Sequence, residues 1–139
     1  MKKMNNKGFS LVELIIVIAI MAILIGVLAP QYLKYVEKSK VSSDKDTLDS
    51  IYNACTTAAA DPDLSASVPA NNTSFSFQGI SGGDDWTGEV LTTLGLTNSN
   101  SITAKIKSKS CKGSAIDISV DAMGNFVVSC GGIRIPTED

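Results

Sequence analysis

The chain has 139 residues, with 12 Lys and Arg against 14 Asp and Glu, and no His. That length holds one small domain plus an anchor, not two cores. The missing His argues against histidine acid/base chemistry and most His-containing zinc sites, and a net charge of −2 argues against an extended basic footprint for nucleic acid.

A basic leader carrying Lys2, Lys3 and Lys7 ends at Gly8, and an unbroken apolar run then extends from Leu14 to Ala29, stopped by Pro30. Without the leader the balance is nine basic against fourteen acidic side chains, a net −5. The residues alone leave two familiar readings of this segment. One is a secretory signal peptide cut after Val27-Leu28-Ala29, which would place Pro30 after the cut and Glu13 inside the apolar region. The other is a plain anchor: Phe9 to Ala29 spans 21 residues, about 31 Å of helix, with the basic leader in the cytoplasm and the rest outside. Neither accounts for Glu13, because a charge at the centre of a membrane helix costs about 2.5–3.5 kcal/mol. Glu13 therefore needs a partner or a shallow position.

Beyond Pro30, which is expected to kink the helix rather than end it, Tyr32, Leu33, Val36, Val41, Leu48, Ile51, Tyr52 and Cys55 recur at helical spacing. They define one broad apolar face. Lys34, Glu37, Lys38, Lys40, Asp44, Lys45, Asp46 and Asp49 fall between them and read as a solvated polar face of mixed sign, with pairing between neighbouring copies as the sharper alternative. Asp61-Pro62-Asp63 is a turn signal that ends the helix near Ala60.

Residues 61–84 read as a loop with a short strand at Ser74–Phe77, and 84–95 as a short helix that Gly95 can end. Trp86 is expected to be a core anchor. Asp84, Asp85 and Glu89 read as ordinary acidity at a helix start, since no complete calcium-loop pattern surrounds them. Alternation then predicts three strands of an antiparallel meander: one on Ile102, Ala104 and Ile106, one on Ile116, Ile118 and Val120, and one on Phe126 and Val128 after a Met123-Gly124-Asn125 turn. The three Cys residues permit three single bridges. In a plain meander Cys111 and Cys130 would lie two strand spacings apart, about 9.6 Å, so Cys55 with Cys130 competes, and free buried thiols are the simplest alternative.

The string KGFSLVELIIVIAIMAILIGVLAP, Lys7 to Pro30, resembles the class III signal segment of type IV prepilins and type II secretion pseudopilins. The resemblance implies an α+β pilin fold: a long N-terminal helix, transmembrane in its first half and amphipathic in its second, packed on a small antiparallel sheet. It implies cleavage between Gly8 and Phe9 by a prepilin peptidase, N-methylation of Phe9, and a role for Glu13 in assembly by offsetting the Phe9 amine of a neighbour. Family habit also favours a Cys111–Cys130 disulfide. The implied organisation is a cleaved leader (1–8), a transmembrane and filament-core helix (9–30), its amphipathic continuation (31–60) and a globular head (61–139). The implied partners are further copies of the chain, minor pilins, the peptidase, an assembly ATPase with its platform membrane protein, and the membrane itself.

No catalytic residue, metal or cofactor is expected. The implied function is that of a structural subunit of a type IV pilus serving adhesion, twitching motility, aggregation or DNA uptake. A secretion pseudopilin or a minor or competence pilin is the runner-up, and an anchored binding module that never polymerises is the alternative of a different class.

Overall fold

The computed structural model describes residues 8–83 and 85–137; the leader lysines Lys2, Lys3 and Lys7, and Asp84 of the acidic cluster, lie outside the described residues. The chain forms two compact units, one up to Val36 and one from Glu37 onward. Helix α1 (Leu11–Ala59) supplies the first unit and opens the second, with Pro30 inside it. In the first unit every large apolar side chain from Phe9 to Val27 is exposed, for want of any second layer to cover it.

From Glu37 onward the same helix behaves differently. Leu48, Ile51, Ala54, Cys55 and Ala58 recur at three- and four-residue steps, and all are buried. They pack in one cluster with Ile118, Val120, Phe126 and Val128 of the sheet. Burying each large aliphatic side chain contributes about 1.5–3 kcal/mol, which is what holds so small a head together.

The sheet has four antiparallel strands in sequential order: β1 (Ser74–Ser76), β2 (Asp117–Val120), β3 (Phe126–Cys130) and β4 (Ile133–Ile135). Its register places Phe75 opposite Ile118, Ile118 opposite Val128 and Val120 opposite Phe126, so the alternating apolar set falls on one face. The layout is the expected α+β arrangement of a long helix on a small antiparallel sheet. Helix α2 (Asp85–Thr93) ends as its sequence requires: Gly95 adopts φ +68°, its N–H reaches the Thr92 carbonyl, and the Leu96 N–H reaches the Leu91 carbonyl. Trp86, fully buried, stacks on Phe126 at 5.6 Å and meets Phe75 edge-on at 6.1 Å. Among the described residues its indole N–H finds no acceptor, so ring contacts hold the side chain.

Two elements correct the reading of the sequence. Residues 102–106 form no strand; 102–105 belong to a 3₁₀ segment, Ser99–Lys105, that buries Ile102 and leaves Ala104 exposed, and Ile106 follows as its C-terminal cap. The Asn98 side chain accepts from the Ser101 N–H, and this cap selects helical turns over an extended chain. The final strand is instead β4, paired with β3 by Cys130 opposite Ile133.

Asp44 is the second correction. Rather than joining a solvated face, its carboxylate is buried and accepts the backbone N–H groups of Lys107 and Ser108, both at 2.9 Å. Glu37, seven residues earlier on α1, accepts the Lys109 N–H at 2.7 Å. Three successive amides are thus held by two carboxylates of one helix, each bond to a charged group being worth about 1.5–3 kcal/mol when desolvated.

Candidate assembly and processing site

Gly8, Phe9 and Ser10 precede α1 in non-helical backbone, and Phe9 is 89% exposed. A helix start leaves four N–H groups without intrahelical partners, a serious cost in apolar surroundings. Ser10 and Glu13 answer it together. The Glu13 N–H donates to Ser10 Oγ at 3.2 Å, and the Ser10 N–H donates to Glu13 Oε2 at 3.1 Å. This reciprocal pair is a capping box, in which each side chain satisfies the other's backbone donor. The negative carboxylate also lies at the positive end of the helix dipole.

Ser10 is thus a residue that the sequence reading missed, although Ser10-Leu11-Val12-Glu13 carries the signature spacing. One Glu13 oxygen serves the cap. A carboxylate has further lone-pair capacity, so the cap leaves room for an outside donor.

The neighbouring surface fits burial among apolar partners. Among the described residues, α1 is the one helix long and apolar enough to cross a membrane, and none of its apolar window is buried within the chain. Gly8, Phe9 and Glu13 lie close in sequence at its tip, with Pro30 further along the same helix. Cys111 and Cys130 are far from that tip in sequence. They form a disulfide with a Cα–Cα distance of 5.2 Å, leaving Cys55 as a free buried thiol. The spacing objection to that bridge does not arise, because Cys111 lies in a turn rather than on a strand. Next to the bridge, Gly131 at φ +55° sits against the Ser110 carbonyl, leaving no space for a Cβ. Burial pushes the Cys55 thiol up to about 12, so it stays protonated at neutral pH.

Asp85 and Glu89 lie on α2, and no group of three or more His, Cys, Asp or Glu among the described residues could hold a metal. At the turn between β2 and β3, Asp121 accepts the Asn125 N–H and the Met123 N–H at 2.8 Å and the Asn125 amide at 3.0 Å. These bonds, those from Asn125 above all, hold its carboxyl below the ordinary 3.8.

The structure thus combines a helix whose first half is apolar and uncovered and whose tip carries a capped carboxylate with a disulfide-bonded α+β head, the layout of a small domain on a helix long and apolar enough to cross a membrane. Residues 3–29 match the prokaryotic N-terminal methylation motif. The chain is 42% identical over 50 residues to the type IV major pilin protein PilA of Myxococcus xanthus, covering 36% of this chain and 23% of that protein. It is 50% identical over 40 residues to the type IV major fimbrial protein FimA of Dichelobacter nodosus, covering 29% of this chain and 26% of that one. By this motif and these relatives the N-terminal segment of the chain is similar to that of type IV major pilins. It spans about a quarter of the length of the curated relatives it matches. No solved structure matches the chain.

Proposed function

We propose that this chain is the subunit of a type IV pilus, made as a membrane-anchored precursor and polymerised into an extracellular filament through the first half of α1. The observation that carries this is the uncovered apolar helix with a single acidic side chain at its tip. Such a surface has no stable exposure to water. It must be covered first by lipid and then by copies of itself, and heterologous contacts that do not close produce a filament rather than a ring.

In this reading residues 1–8 are the leader, cut between Gly8 and Phe9, and the freed Phe9 amine is methylated. Residues 9–30 form the membrane and filament-core helix, 31–60 its amphipathic continuation, and 61–139 the exposed head. Pro30, which lacks a backbone donor, is the point at which the helix can bend. Glu13 offsets the Phe9 amine of a neighbouring copy, using the lone-pair capacity its cap leaves free. A prepilin peptidase, an assembly ATPase with its platform protein, and minor pilins are the partners this processing and growth require. The leader stays inside and the head faces out, as three lysines on the leader favour.

Shearing the cell surface, followed by electron microscopy and mass spectrometry, tests the proposal. Filaments built of this chain, beginning at a methylated Phe9, are the expected result. A full-length chain still carrying its leader, with no filaments under high expression, would refute it.

A further inference from the structure

We infer that Tyr32–Tyr35 is a lipid-interface anchor: in the membrane-held precursor, these residues occupy the headgroup layer on the head's side of the bilayer, while Glu13 marks the opposite edge of the hydrocarbon. This rests on the membrane-precursor reading above and adds to it a fixed depth.

Between Glu13 and Lys34 no side chain is charged, and the intervening stretch 14–33 is twenty residues long. At 1.5 Å per residue it spans about 30 Å, the thickness of a bilayer's hydrocarbon core. The two charges therefore fall at the two boundaries. Gln31, the one amide in the stretch, comes directly before Tyr32 and so lies at the boundary as well. Glu13 need not cross the membrane centre at all.

The residues at the far boundary have the chemistry of that layer. Tyr32 is 67% exposed, Leu33 65% and Tyr35 68%. Two tyrosines three apart share one face of the helix. A tyrosine has an apolar ring and a polar hydroxyl, which suits the headgroup region better than either water or hydrocarbon. Lys34 between them can lay its alkyl stem along the helix and keep its ammonium among the headgroups. Past this point the large apolar residues of α1 turn inward, with Leu48 and Ile51 fully buried, so Tyr32 to Tyr35 is the last exposed apolar stretch of the helix. A bilayer sets a depth, and the tyrosines lie at its thickness from Glu13.

The test uses the full-length chain reconstituted in phosphatidylcholine vesicles whose acyl chains carry bromine either near the headgroup or near the chain end. Trp86 is buried in the head and gives a constant background. An Ile20→Trp variant reports the middle of the span and a Tyr32→Trp variant the proposed anchor. Ile20→Trp fluorescence is expected to be quenched more by the deep bromine and Tyr32→Trp more by the shallow one, each by about twofold. Adding Lys34→Leu to Tyr32→Trp is expected to move quenching toward the deep lipid. Deep quenching of Ile20→Trp with no quenching of Tyr32→Trp, or with quenching of both at the same depth, would overturn the anchor while leaving the membrane precursor standing. No quenching of Ile20→Trp by either lipid would remove the precursor reading and the anchor with it.

Discussion

The two parts of α1 are built from the same aliphatic residues and obey opposite rules. Up to Val27 the helix presents Ile, Leu and Val on every side, and all are exposed. From Leu48 to Ala58 the apolar residues Leu48, Ile51, Ala54, Cys55 and Ala58 form one stripe, and that stripe is buried. The difference lies in spacing, not in hydrophobicity. A stripe can be covered by a single sheet, whereas an apolar cylinder needs partners all round, and the described residues supply none. The head is thus complete in itself, and the N-terminal helix is completed by its surroundings.

If the parts are independent in this way, damage to each should have a separate signature. The largest effect is expected from Glu13→Ala, which should insert and be cut normally yet lower sheared filament yield at least about tenfold, because a buried amine would lose its counter-charge. Wild-type yield would remove charge pairing from the account. In the head, Trp86→Ala should cost about 3–5 kcal/mol in denaturant unfolding of the detergent-held chain, without altering its membrane insertion. Replacing both Cys111 and Cys130 by Ser opens a loop of 19 residues. The expected loss is about 3 kcal/mol, read as a lower melting temperature.

Asp44→Ala strands the buried Ser108 N–H and the part-buried Lys107 N–H and should cost about 2 kcal/mol, with faster hydrogen exchange at Lys107 and Ser108 as its local mark. Unchanged exchange there would mean that the carboxylate does not hold the loop. The smallest effect is set by pH. Asp121 has its folded pKa held below the unfolded value, so its contribution is present above about pH 4 and lost as pH falls through the folded value. Asp121→Ala should remove that contribution, lowering stability slightly above about pH 4 and converging with the unsubstituted chain as pH falls, so that the acid limb is flatter.

What could be read from the sequence follows the same division. The apolar run, the stripe on α1 and the strands on Ile118 and Val128 are local patterns, and composition and period suffice to find them. Asp44 looked solvated because a helical pattern classes every charge between apolar positions as outward. Its partners lie more than sixty residues away and are backbone amides, which no side-chain pattern records. Ile102 and Ile106 misled for a related reason: with Ala104 between them they fit alternation, while a side chain at Asn98 decided for turns. β4 is three residues long behind Gly131-Gly132 and offers too few positions to display a period. At the tip, Glu13 stood out as a charge, but its bond to Ser10 had to be seen as a reciprocal pair to be recognised as a cap.

That pair also bears on what the proposed cut would leave behind. Every atom of the cap belongs to Ser10 or Glu13, on the retained side of the Gly8–Phe9 bond. A peptidase acting there would therefore release a chain whose first turn is already closed by its own side chains, so the new end inherits its conformation instead of having to find one.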